Sequence, residues 1–296
     1  MRCDLHVHTI HSGMCTVPVL RRICRESYND PHEIYDLLKR RGMDLVTVTD
    51  HDSIDAAESL RRHPDFFLSE EVSCATPCGT EFHMGVYDIT ERHHVELQHR
   101  RRDFFSLMAY LSEQQLFFSV NHVFSGLTGT RSAADFAFFE HYFPAMESRN
   151  GQMQSGSNRA SADYARRLGK AEVAGSDAHT LSSAGTTYTE IAGVRDQGEF
   201  LQGLRQGRGV ACGESGDYRK LTRAVLEIAG AMMAERPWTA VLAPLALLIP
   251  AVTLSCWMRE MVFADYWARR VASVTPGVVC ADTSGTVLHP YPATRV

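Results

Sequence analysis

No CxxC pair and no regular cysteine spacing occur in this chain, so its eight cysteines read as reduced thiols of an intracellular protein and not as a disulfide framework. There is no GxSxG elbow and no GxxxxGK(S/T) loop, which excludes an elbow serine nucleophile and nucleotide hydrolysis by a P-loop. Dinucleotide binding has no motif either. The opening Met1-Arg2-Cys3-Asp4-Leu5-His6 lacks an apolar signal core, so a cytoplasmic protein is expected. Basic charge is not in excess: a formal net charge of -5 leaves no overall footprint for nucleic acid, so any polyanion contact has to be a local patch. No repeat with a period of roughly 20 to 50 residues is seen.

What the chain does have is length, with 296 residues of which 44% are hydrophobic, enough for one large core or two modest ones. Its fourteen histidines are the unusual feature. Short β-type runs alternate with amphipathic runs, the pattern of a parallel α/β layout. Strands are expected over 3–9, 44–49, 66–74, 81–87, 116–120, 145–148, 171–175 and 188–191. Helices are expected over 31–41, 53–62, 94–115, 133–142, 158–168 and 199–206. The spacing predicts a barrel of about seven β/α units ending near Gly216.

The polar residues fall at the strand ends. His6 and His8, Asp50 and His51, Glu71, His83, His122, Glu147, then Asp177 and His179 stand where a β/α barrel gathers side chains at its C-terminal rim. In Asp4-Leu5-His6-Val7-His8 the strand period of two puts both imidazoles and Asp4 on one face. Asp50-His51-Asp52 and Asp177-Ala178-His179 end apolar strands in groups that are costly to bury unless they are bound to something. Glu71 has two oxygens and can bridge two ions, while Glu70 is expected to point the other way, into solvent or a salt bridge. Together these residues exceed the ligand capacity that one ion needs.

The ordered set HxH, DH, E, H, H and DxH over residues 1–216 resembles the PHP family, named for polymerase and histidinol phosphatase domains. That resemblance implies a distorted (β/α)7 barrel holding two to three divalent transition-metal ions, zinc, manganese or iron, and hydrolysing phosphate esters by a metal-bridging hydroxide. It implies a first site of His6, His8, Glu71 and Asp177, and a second of Glu71, His83 and His122. His51 and His179 resemble two ligands of a third site, whose remaining ligand usually follows HxH within a few residues. Here that loop reads Thr9-Ile10-His11-Ser12-Gly13-Met14-Cys15, leaving His11 or Cys15 to fill the slot by a loop shift. Asp50, Asp52 and His11 are candidate catalytic groups, with His179 a further candidate general acid. Arg149 and Arg159 are candidate phosphate clamps, because a guanidinium donates two parallel hydrogen bonds. Asp4, Glu147 and Asn150 are expected behind the ligands. The expected substrate is a small phosphorylated metabolite or nucleotide. The alternatives are a nuclease trimming short oligonucleotides and a non-catalytic, metal-stabilised, membrane-tethered module.

The last third differs in character. Residues 237–258, PWTAVLAPLALLIPAVTLSCWM, carry no charge and no histidine over twenty-two positions, a length that suits a membrane span. Trp238 and Trp257 bracket the run, roughly 28 Å apart in a helix rising 1.5 Å per residue. The competing expectation is a soluble helical hairpin. The expected organisation is therefore a metal-binding domain over 1–216, a helical extension over 217–272 that anchors the protein to a membrane or packs on the barrel, and a poorly ordered tail over 273–296.

Overall fold

The computed structural model of the protein describes residues 1–273. Residues 274–296, most of the expected tail, lie outside it.

Two sheets organise the fold. The larger has five strands in the order β2-β3-β4-β5-β6, formed by Ser69–Ala75, Glu81–Tyr87, Phe117–Val120, Ala145–Asn150 and Ala171–Gly175. The smaller pairs β1 (Arg2–Cys3) with β7 (Thr187–Glu190), and β7 with β8 (Val210–Gly213). The helices are α1 (Pro31–Arg40), α2 (Ala57–Leu60), α3 (Glu91–Arg100), α4 (Phe104–Glu113), α5 (Ala133–Tyr142), α6 (Ser155–Leu168), α7 (Gln197–Arg205), α8 (Tyr218–Glu235) and α9 (Ile249–Ser273), with a 3-10 stretch at Pro237–Leu248 between the last two.

The fold is mixed α/β as expected, but no closed barrel forms among the described residues. β2 and β3 run antiparallel, because only five residues join them, too few for the crossover that a parallel pair needs, and β4 also pairs antiparallel with β3 after α3 and α4. Among the strand pairs of the described residues, only β4-β5 and β5-β6 are parallel. The strands expected over 3–9 and 44–49 shrink to isolated bridges, Val7 with Ala178, Val46 with Phe66, and His51 with Glu71. Single hydrogen bonds such as Leu5 N to the Ala174 carbonyl and Thr49 N to the Val7 carbonyl link them to their neighbours. Gly175 permits this approach, since a Cβ there would strike His6. The helix expected over 94–115 breaks in two, because Asp103 accepts a hydrogen bond from Ser106 N and caps a new helix. β8 was not expected.

An aromatic-rich core lies between the large sheet and α4, α5 and α6, centred on Phe82, Phe139 and Phe143. The C-terminal helix joins it. Ala264, Trp267 and Val271 of α9 are buried there, with the Trp267 ring 5.2 Å from that of Phe136. Trp267 is 8% exposed, whereas Trp238 in the 3-10 stretch is 62% exposed. Trp267→Ala is therefore expected to cost about 3 kcal/mol or more in chemical denaturation. Trp238→Ala should change stability by no more than about 0.5 kcal/mol.

Candidate metal centre

The structure gathers seven of the predicted side chains around the buried carboxylate of an eighth, Glu71. Glu71 is fully buried in β2. Its Oε2 lies 3.2 Å from His6 Nε2, 3.4 Å from His8 Nε2 and 3.2 Å from His51 Nδ1. Its Oε1 lies 3.3 Å from His122 Nε2 and 3.5 Å from His83 Nδ1. Asp177 Oδ1 completes the cluster at 3.4 Å from His6, 3.3 Å from His8 and 3.6 Å from His179. Four triplets have ligand atoms within 4.8 Å of one another: His6-His8-Asp177, His6-Glu71-His122, His51-Glu71-His83 and His8-His51-His179.

Local backbone explains how distant segments converge. His6 and His8 share one face of an extended segment. His122 and Asp177 follow β4 and β6 with positive φ, 31° and 51°, a conformation that side chains disfavour. Hydrogen bonds hold both, His122 N to Glu147 Oε2 at 2.8 Å and Asp177 N to the His6 carbonyl at 2.6 Å. His83 departs from the rim rule: it sits near the start of β3, opposite Ser73, and reaches the cluster because β3 runs antiparallel.

The donor set fits divalent cations. Buried Nε2 of His6 and His8, Nδ1 of His51 and His83, and Oε2 of Glu71 have no hydrogen-bond partner, which is costly unless a cation accepts their lone pairs. Burial opposes ionisation of Glu71, but His6, His83 and His51 hold it well below the usual carboxylate range. Asp177 is depressed against burial by His6 and His8. Burial brings His8 down to about 4 and His51 down to about 3, so both present neutral nitrogens at pH 7. Burial also opposes protonation of His6, yet Glu71, Asp177 and Glu147 raise it well above its ordinary value.

Supporting residues lie where the sequence indicates. Glu147 Oε1 is 2.7 Å from His6 Nδ1, leaving Nε2 to face the cluster. Asn150 donates to Glu147 and to Asp177 Oδ2, both at 3.0 Å. Asp4 accepts from the backbone of His6, Ser176 and Gly185, tying three loops together.

The candidate catalytic and clamp residues are placed otherwise. Asp50 is buried and accepts from Thr9 N, Thr9 Oγ1 and Ser12 Oγ, so it holds the HxH segment and has no free oxygen for proton transfer. Asp52 accepts from Ser73 N and pairs with Arg101 at 3.0 Å. His11 lies in a short 3-10 turn at Ile10–Ser12, with no side-chain contact to the cluster among the described residues. Arg149 spends a guanidinium hydrogen bond on the Gly213 carbonyl, and Arg159 stands exposed on α6. Glu70 is fully buried and takes the salt-bridge option, 2.8 Å from His94 Nδ1 and 3.0 Å from Gln98.

Glu26 is the residue that the sequence reading missed. It comes from the loop over 13–29, folded back by the Glu26 N to Gly13 carbonyl hydrogen bond. Its carboxylate lies 3.6 Å from His51 Nε2 and 3.7 Å from His179 Nε2, where neither His11 nor Cys15 arrives. Burial would raise Glu26, but His179 and His51 hold it below its ordinary value. Its distance in sequence from HxH hid it; an acidic residue within an otherwise basic loop, Arg21-Arg22-Ile23-Cys24-Arg25-Glu26, was the available signal.

Two outcomes follow for metal content measured by elemental analysis. Glu71→Ala should lower it at more than one position, whereas Glu70→Ala should destabilise the fold and leave the stoichiometry of the folded fraction unchanged. Glu26→Gln should fold as the parent does and lose affinity only at the His51-His179 position, by roughly 10- to 100-fold.

Residues 156–208 match a family described as PHP-associated. An uncharacterized protein of Methanocaldococcus jannaschii is 28% identical over 81 residues, a match spanning 27% of this chain and 43% of that protein. Two solved structures share the fold. A two-domain Bacteroides vulgatus protein, described as containing a predicted PHP-like metal-dependent phosphoesterase, matches at 16% identity and a TM-score of 0.55, over 77% of this chain and 70% of the other. PsfC from Pseudomonas syringae matches at 17% identity and 0.54, over 79% and 98%. The match at residues 156–208 and the fold shared with a PHP-like protein, together with the ordered histidine and carboxylate motifs, support a PHP-family domain in this chain.

Proposed function

We propose that this chain is a metal-dependent phosphoesterase acting on a small phosphorylated metabolite or nucleotide. One observation carries the reading: the fully buried Glu71 carboxylate, with imidazoles of five histidines around its two oxygens and several of their ring nitrogens unsatisfied. Glu71 would hold ions on both sides, with His6, His8 and Asp177 on one and His83 and His122 on the other. His51, His179 and Glu26 would hold a third. Two to three divalent ions of zinc, manganese or iron, when bound there, supply Lewis-acid polarisation of a phosphoryl group and an activated water.

The protein's own part is positional. Glu147 and Asn150 fix the His6 ring and the Asp177 carboxylate, so the lone pairs converge without reorganisation. A groove of about 650 Å³ opens beside His179 between α1 and α8, lined by Arg40 and Arg223 and also by Glu33, Asp36 and Glu227, the last paired with Arg223 at 2.7 Å.

The test is a phosphate-release screen of metal-loaded protein across sugar phosphates, histidinol phosphate, nucleoside bisphosphates and short RNA. Release from one small-molecule class is expected, with Glu71→Ala losing at least the roughly 100-fold that marks the loss of metal-site support. Full metal content with no release from any class would overturn the reading in favour of a non-catalytic module, and release confined to RNA would make it a nuclease.

A further inference from the structure

The C-terminal extension leaves a large apolar surface uncovered. Its most hydrophobic window, within residues 237–272, has a mean hydropathy of 2.0 and is only 11% buried. Val241 is 75% exposed and Leu247 83%, and Leu245, Leu248, Val252 and Met258 stand out beside them. A surface of this kind on a folded domain marks an interaction site.

A transmembrane span does not fit the packing. The chain entering the run is fastened to the domain: Lys220 Nζ bonds Thr186 at 2.9 Å, Glu227 accepts from Ser182 at 2.8 Å, Glu235 pairs with Arg25 at 2.7 Å, and Arg236 reaches the Arg22 carbonyl at 3.0 Å. The chain leaving the run is fastened to the same domain, where Glu260 accepts from Ser125 Oγ at 2.8 Å and from Gly126 N, and Trp267 enters the core. A helix crossing the bilayer separates its ends by about 30 Å of hydrocarbon, yet here both ends grip one body. Alongside, α8 doubles back on the run, with Thr222 and Thr253 hydroxyls 2.8 Å apart and Tyr218 donating to the Pro250 carbonyl.

We infer that residues 237–262 form an in-plane docking surface for an anionic bilayer, with the apolar side chains dipping into the headgroup boundary and the chain crossing nothing. Charge selects this occupant over a second copy of the chain. Residues 217–273 carry seven Arg or Lys against five Asp or Glu, a positive segment on a chain of formal charge -5. Arg219, on α8 next to the Tyr218 that reaches Pro250, and Arg259, at the end of the uncharged run, are exposed and without an ion-pair partner among the described residues, as headgroup phosphates require. Tryptophans stand at both ends of the uncharged run, the side chain most suited to the boundary. The loops gripped by these helices, at 125–126 and 182–186, follow His122 and His179, so docking would hold the mouth of the metal centre near the bilayer.

Co-sedimentation of the full chain with vesicles tests this. Binding to phosphatidylglycerol-phosphatidylcholine vesicles is expected, weaker binding to phosphatidylcholine alone, and release by alkaline carbonate. Val241→Glu with Leu247→Glu should weaken binding roughly tenfold or more while keeping the parent's circular dichroism, since both side chains face solvent. Arg219→Glu with Arg259→Glu should abolish the preference for anionic vesicles. Three results would overturn the inference: no binding to either vesicle; a dimer in vesicle-free buffer that the Val241-Leu247 variant splits, which makes the occupant a second copy; or retention after carbonate, which means a span.

Discussion

Burial of the Glu71 carboxylate is the constraint on which the rest of the structure depends. An ionised carboxylate with no solvent exposure is costly by many kcal/mol unless positive charge or donors surround it. The Asn121 amide donates to Oε1 at 2.8 Å and five imidazoles ring the two oxygens, which meets that need only in part. They come from four separate stretches of chain, so several segments around the site are pulled to this point. Without a cation the cluster remains under-satisfied, as the unpartnered ring nitrogens record.

Positions around the site carry strain and support in proportion. His122 and Asp177 adopt positive φ, each two residues past the end of a strand and with its side chain in the cluster. Glu147 serves both problems at once: one oxygen orients the His6 ring, and the other accepts the His122 amide and so holds that strained turn. Asp4 and Asp50 act one layer farther out, on backbone amides and hydroxyls of the loops. Burial raises Asp4 to about 6 despite these donors.

The helical extension belongs to the same mechanical unit. Trp267 packs against Phe136 in the main core, Glu260 fastens the loop after His122, and Glu235 pairs with Arg25, the residue before Glu26. Its apolar middle nevertheless stays outside the core, because Pro237–Leu248 winds as a 3-10 helix against one face of α8 and keeps the others open.

The residues of the cluster were legible from sequence alone because their chemistry is local: HxH on one strand face, acid-imidazole pairs at the ends of apolar runs, and a glutamate at a strand position facing its neighbours. The alternation of strands and helices was legible for the same reason. Tertiary structure decided what local pattern cannot encode. Segments 3–9 and 44–49 had strand composition but found single bridges in place of ladders, and a five-residue connection forced β3 antiparallel and carried His83 to the site from an unexpected end. Asp50, Asp52 and Arg149 looked free in sequence, yet their partners at Thr9, Ser73 and Gly213 come from elsewhere in the chain. Glu26 reaches His51 and His179 only through the path of a loop, which depends on long-range hydrogen bonds that no spacing rule contains.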